Sequence, residues 1–196
     1  ELTGYSNSND AFHQTASSPD GDGALLSMSR AIAMAGIEPK AVDYINCHGT
    51  GTENNDLSEA LAIQKLFQEH VPYFSSTKPY TGHTLAAAGS VEAVFSILSI
   101  QNDVLFPNLN FENQMPEISI SPLKELMQNV EVKHVLSNSF GFGGSTTSLL
   151  FSKIFPRRKH SITASSSTKS ANTTTMYCLV FCLNSKTIFI LLLCAE

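Results

Sequence analysis

Charge is sparse in this 196-residue chain: 15% of its residues are charged and the net is −5. That excludes the basic surface of a nucleic-acid binder and, beside 42% hydrophobic residues, a wholly disordered chain. Paired cysteines are also missing. Cys47 stands alone in the body, while Cys178, Cys182 and Cys194 have neither C-x-x-C spacing nor a histidine beside them. A disulfide framework and a zinc cluster are thereby excluded. The opening Glu1-Leu2-Thr3-Gly4 has neither a methionine nor a charged-then-apolar leader. The expectation is a truncated chain from a reducing, cytoplasmic setting.

Glycine stops at Gly144 and proline at Pro156, so the chain changes character there. Residues 1–156 hold seven basic and sixteen acidic side chains, net −9, against five and one, net +4, in the remainder. The reading is a globular domain over 1–155 and a Ser/Thr-rich, then apolar tail over 156–196. The tail opens on Arg157-Arg158-Lys159-His160, has ten Ser or Thr in 161–175, and ends in an apolar run from Tyr177 broken by Asn184-Ser185-Lys186. A membrane helix needs roughly 20 apolar residues, and only eight follow Lys186 without a break. A disordered or aberrant extension is therefore favoured over a basic linker to a membrane anchor, and no membrane contact is expected.

In the body, residues 1–21 carry the Gly, Ser, Asn, Asp and Pro of turns and loops. Asp22 is suited to cap a helix with Leu25, Leu26, Met28, Ala31, Ile32 and Ala35 on one face, closed by Gly36. Val42–Asn46 reads as a strand. A second helix follows from the capping types Asn54, Asn55 and Asp56 to about His70, with Leu57, Ala60, Leu61, Ile63, Leu66 and Phe67 inward. Val71–Ser76 reads as a strand and about Thr84–Gln101 as a helix so apolar that it should be covered on both sides. Residues 102–130 form a long Pro- and Asn-rich connection. Two strands, Val132–Leu136 and Thr147–Phe151, flank a glycine-rich turn from Asn138 to Gly144. This order describes an α/β unit with helices on a mixed sheet.

His48 and His83 both sit beside a glycine where a strand enters a loop, the usual place to present chemistry. A lone histidine in such a place is as a rule structural or merely exposed. A pair of neutral imidazole N–H groups aimed at one point can stabilise an enolate or oxyanion, and the nearby Lys78 would help keep them neutral. Glu92 reads either as the partner of Lys78 or as part of a polar helix stripe with Ser96 and Ser99. Phe140-Gly141-Phe142-Gly143-Gly144 reads either as a mobile aromatic gate, since glycine allows large backbone changes, or as a packed turn. It is no phosphate loop, because no Lys-Ser or Lys-Thr follows the glycines.

Asn46-Cys47-His48-Gly49-Thr50-Gly51-Thr52, Ser75-Ser76-Thr77-Lys78 through Gly82-His83, Ala86 to Glu92, Pro107-Asn108-Leu109-Asn110 and Asn138 to Gly144, in this order, resemble the signature blocks of β-ketoacyl-acyl-carrier-protein synthases. The resemblance covers about residues 1–155 and implies the C-terminal half of a thiolase-like, layered α-β-α-β-α fold. It implies a decarboxylating Claisen condensation in fatty-acid or polyketide synthesis, with the nucleophilic cysteine in a first half that this chain lacks. The fragment alone is thus expected to be inactive.

By that resemblance His48 and His83 polarise the malonyl thioester, Lys78 organises the site and Glu92 supports it. Thr50 and Thr52 match residues that bind the phosphopantetheine arm. Phe142 matches the gating phenylalanine, with Phe140 beside it, and Asp10, His13 and Thr15 match a second loop that moves with the gate. No metal or bound cofactor is implied, because substrates ride on the phosphopantetheine of an acyl carrier protein. The implied partners are that carrier and a second ketosynthase chain, as homodimer or heterodimer. Cys47 stands where the family commonly has Ala, and Ser145-Thr146 where Thr-Asn is commoner. The acidic body repels an acidic carrier, so a basic docking patch is expected on the other half. A non-catalytic subunit like the chain-length factors is the alternative. Degradative thiolases are disfavoured, since the corresponding turn has no cysteine.

Overall fold

The computed structural model describes residues 1–154, together with strands at Met176–Leu183 and Thr187–Cys194. The chain divides into two compact units, Glu1–Lys153 and Ile154–Glu196.

In the first unit a five-stranded sheet is built from β1 (Leu2–Asn9), β2 (Tyr44–Asn46), β3 (Tyr73–Ser75), β6 (His134–Gly141) and β7 (Ser145–Ser152), in the order β1-β7-β6-β2-β3. The β2 strand runs parallel to both β3 and β6, whereas β6–β7 and β7–β1 are antiparallel. The sheet is mixed, as expected.

Alternation along the strands divides the core. Ile45, Leu136 and Leu150 point to one face, against α1 (Asp22–Ala35) and α2 (Glu53–Phe67). Their neighbours Tyr44, Val135 and Phe151 point to the other, against α4 (Ala88–Asn102). The unit is a three-layer α-β-α sandwich. Between β3 and α4 lie a single helical turn, α3 (Lys78–Thr81), and a 3-10 turn, Leu85–Ala87.

Several expectations are corrected. Residues 2–9 are a full edge strand, not a loop: they pair with β7, with Gly4, Ser6 and Ser8 on the side of α1 and Tyr5, Asn7 and Asn9 exposed. A Cβ on Gly4 would sit 2.1 Å from the Ala31 carbonyl oxygen, so this glycine serves close packing. Asp22 is the first helical residue. The cap is Gly21 in the left-handed region (φ 70°), with no side-chain cap bond, and Gly36 closes the helix as expected. Asn54, Asn55 and Asp56 lie inside α2, which ends at Phe67 rather than His70 and buries Asn55, Ser58 and Glu59 beside Ala62 and Ile63. The glycine-rich segment is the end of β6 up to Gly141, followed by a 3-10 turn at Phe142–Gly144. The long connection holds only a two-residue antiparallel ribbon, β4 (Val104–Leu105) with β5 (Met127–Gln128).

The long helix is corrected most. Its polar stripe, Glu92, Ser96 and Ser99, is the buried one, whereas Val94 and Leu98 on the opposite flank are 39% and 38% exposed.

In the second unit, β8 (Met176–Leu183) and β9 (Thr187–Cys194) pair antiparallel across the apolar run. The basic run Arg157–His160, the Ser/Thr-rich stretch and the Asn184-Ser185-Lys186 break lie outside the described residues.

Replacing Gly4 with Ala forces α1 away from β1. Overpacking of this kind costs about 1–3 kcal/mol, so the urea midpoint of the chain should fall while the m-value stays unchanged.

Candidate functional site

The parallel strands β2 and β3 end side by side, and their C-terminal extensions carry His48 and Lys78. Asn46, the last residue of β2, bonds α4 and the β3 arm: its Nδ2 donates to the Glu92 carbonyl (3.1 Å) and its Oδ1 accepts from Thr77 Oγ1 (3.4 Å). Gly49 makes the turn after His48 possible. Its φ is +40°, and a Cβ there would meet Ser76 Cβ at 2.6 Å.

Lys78 is the hub. Its ammonium donates to the His48 carbonyl oxygen and to Glu92 Oε1, and lies 3.1 Å from His48 Nδ1. Lys78, His48 and Glu92 are all buried. Ser139 Oγ donates to the second Glu92 oxygen at 3.3 Å. The choice between a lysine partner and a helix stripe is thus resolved in favour of both: the stripe faces inward and its carboxylate meets Lys78.

The tautomers follow from the bonding. A lysine ammonium has only donors, so His48 Nδ1 accepts, and the proton of the neutral ring sits on Nε2. His83 reaches the same state independently, because its Nδ1 accepts from the Leu85 N–H at 3.1 Å. Leu85 adopts a positive φ of 52° to aim that N–H, at a cost of roughly 1–2 kcal/mol for a non-glycine residue. The two rings pack edge to face, 5.5 Å between centroids, and Phe140 lies 5.5 Å from His48 on another side. Burial, then Lys78, then His83 push the His48 pKa down to about 3. His83 is lowered by burial and by Lys78. Burial raises the Glu92 carboxyl, with Lys78 pulling it back.

Glu59 is the functional side chain that sequence reasoning missed. It is buried on α2, and its oxygens accept the backbone N–H groups of His48 (3.0 Å) and Gly49 (2.9 Å) and the Asn138 amide (3.0 Å). Helical spacing puts it with Asn55, Ala62 and Ile63, which was the available signal. Counting only apolar residues on that face hid it.

Thr50 lines a cleft of about 650 Å³ with Lys78, Gly82, His83 and Asn108, and its hydroxyl lies 2.8 Å from that of Thr52. Phe142 is 82% exposed. Asp10 does not meet the imidazoles: its N–H donates to the Gly144 carbonyl at 3.0 Å, and its side chain accepts from Phe12 and Ser18 N–H. A Cβ on Gly144 would lie 2.0 Å from Asp10 Oδ1. His13 and Thr15 bond each other, Thr15 N–H to His13 Nδ1 at 3.2 Å, in the same exposed loop. Cys47 is buried, and burial followed by Glu59 pushes its thiol well above the usual range. Among the described residues no cluster of three His, Cys, Asp or Glu side chains is placed to hold a metal ion.

Residues 1–112 match the beta-ketoacyl synthase C-terminal domain. A mitochondrial 3-oxoacyl-acyl-carrier-protein synthase of Arabidopsis thaliana is 46% identical over 160 residues, 79% of this chain and 34% of that protein. Among solved structures, a ketosynthase bound to a type II polyketide acyl-carrier protein superposes with a TM-score of 0.75 at 30% identity, over 79% of this chain and 38% of that one. A ketosynthase from Xenorhabdus doucetiae, solved with its chain length factor, gives 0.70 at 40% identity, over 76% and 38%. The sandwich is therefore the C-terminal part of a thiolase-like fold. The chain spans a little over a third of the length of the proteins it matches.

His48 stays neutral in the fold, whereas an unfolded chain protonates it near pH 6.5. Its contribution to stability is complete above about pH 6.5 and is lost as pH falls toward 3. Glu92 and Glu59, raised by burial, act in the opposite sense, so the useful quantity is a difference. Between pH 6.5 and 5 the wild-type chain should lose about 2 kcal/mol relative to His48→Gln, read from urea titrations at each pH. Glu59→Ala leaves the backbone donors of His48 and Gly49 without an acceptor. It should cost about 2 kcal/mol or more by the same measurement.

Proposed function

The chain belongs to the β-ketoacyl synthase family, and on that footing we propose that its first unit is the decarboxylating half of a condensing site. In this reading His48 and His83 donate their Nε2–H groups to the carbonyl oxygen of a malonyl thioester held on an acyl carrier protein. The carboxylate leaves as carbon dioxide, and its bonding electrons pass into the enolate that the two donors stabilise. The enolate carbon then attacks an acyl-cysteine thioester in the rest of the synthase, expels the thiolate and forms the 3-oxoacyl product.

The observation that carries this reading is that both Nδ1 atoms are engaged as acceptors, so both rings offer an N–H donor while remaining neutral. Lys78 favours the neutral state of each. Thr50, its hydroxyl paired with that of Thr52, stands at the cleft where a phosphopantetheine arm would enter.

The gate follows from the same geometry. Phe142 lies between Gly141 and Gly143, which has a positive φ of 80°. Its turn is bonded to the Asp10 loop by Asn9 Nδ2 to Gly143 O (2.7 Å), Gly143 N to Gln14 O (2.7 Å) and Asp10 N to Gly144 O. Movement of one segment thus carries the other. The exposed flank of α4 is the surface we assign to the remainder of the synthase, which would cover the helix on its second side. The acidic first unit leaves the attraction of an acidic carrier protein to that remainder. Retention of both histidines and Lys78 favours a catalytic ketosynthase over a chain-length factor.

The test is malonyl decarboxylation by a complete synthase containing this chain. Loss of one oxyanion donor costs roughly 100- to 1,000-fold, so His83→Ala should lower the rate by about that factor while carrier-protein binding persists. An unchanged decarboxylation rate overturns the assignment.

A further inference from the structure

A second cavity lies behind the catalytic turn. It has a volume of about 200 Å³ and is walled by Ile63, Phe74, Phe111, Met115, Ile118 and Ile120. Its outer wall belongs to the long connection, which is pinned at intervals: Leu123 N–H to the Phe74 carbonyl, Ser76 N–H to Asn108 Oδ1 and Gln64 Nε2 to Ser119 Oγ. Cys47 and Glu59 face it from the inner side, and Gly49, Asp56, Asn108, Phe111 and Asn113 line both it and the substrate cleft, so the two spaces adjoin.

Most of the acceptors at its polar end are engaged within the fold. Glu59 takes three N–H donors, Asp56 Oδ1 accepts from Gly51 N–H and Asn55 Nδ2, and Gln114 Oε1 accepts from Ser121 Oγ. A chamber with apolar walls and satisfied polar groups has little to hold water, and a 150 Å³ apolar cavity already admits benzene. Two carboxylates at one end disfavour an anion.

We propose that this cavity binds a small neutral apolar ligand, an aromatic ring or an alkyl group of about six carbons, and that occupancy bears on His48 through Glu59. The path is short. Glu59 lines the cavity and accepts the backbone N–H of His48 at 3.0 Å, so a ligand that fills the chamber fixes the carboxylate and with it the turn. Cys47, one residue from the histidine, reports on the same space. The site does not depend on the decarboxylation reading, because it rests on shape, lining and bonding alone.

The experiment uses the full chain with Cys178, Cys182 and Cys194 changed to Ser, so that Cys47 is the remaining thiol. Toluene is the probe and benzoate, of similar size and negative charge, the control. Toluene is expected to raise the melting temperature saturably and to slow modification of Cys47 by methyl methanethiosulfonate, read by mass; benzoate at equal concentration is expected to do neither. If Cys47 resists the reagent without ligand, the melting temperature alone decides. Ala60→Phe, on the cavity wall, should abolish the toluene response. Should that variant not fold, Met115→Trp on the outer wall replaces it. No toluene response, an equal response to benzoate, or a response that persists in the folded cavity-filling variant overturns the proposal.

Discussion

The Lys78 ammonium is the contact on which the site depends. It joins the His48 carbonyl, the His48 ring and the Glu92 carboxylate, and it does so out of contact with bulk water. A buried charge is tolerable only when it is paired and its donors are used, and Lys78 meets that condition by tying β3 to β2 and to α4. Burial, and after it the same charge, favours the neutral form of both imidazoles. Structural and chemical roles are not separable here, since the bonds that make the lysine's burial possible also set the histidine tautomer.

The His48 turn is gripped from both faces of the sheet. From α2, on the face shared with α1, Glu59 takes the N–H groups of His48 and Gly49. On the α4 side, the Lys78–Glu92 pair takes the His48 carbonyl. A carboxylate from α2 and an ammonium paired to the Glu92 carboxylate of α4 therefore hold the His48–Gly49 peptide, and Gly49 supplies the backbone angle that brings it to Ser76. A site assembled this way is held by the sandwich itself, whereas the Phe142 turn hangs from the ends of β6 and β7 and, among the described residues, is bonded to the Asp10 loop.

The long helix shows how the polar and apolar faces trade places. In an isolated amphipathic helix the polar stripe meets water, but α4 turns Glu92, Ser96 and Ser99 toward the sheet and leaves Val94 and Leu98 outward. Of that stripe, Glu92 reaches the site at the strand ends through Lys78 and Ser139, while Ser96 Oγ donates back to the Glu92 carbonyl. The apolar flank is the one we assign to the remainder of the synthase.

Local sequence determined what depends on neighbours along the chain. It specified the first helix closed by Gly36, the existence of the second and of the strands β2 and β3, the histidine loops, and the ordered blocks that carry the family resemblance. The long-range arrangement decided the rest. Residues 2–9 look like loop chemistry and become a strand only because β7 offers a paired edge and Gly4 lets α1 approach. Glu59 looks like a surface residue until the His48 turn, eleven positions away, brings its unpaired N–H groups to it. Whether Glu92 met Lys78 or water was undecidable from helical spacing, because periodicity gives a residue its face on the helix but not which face the fold will cover.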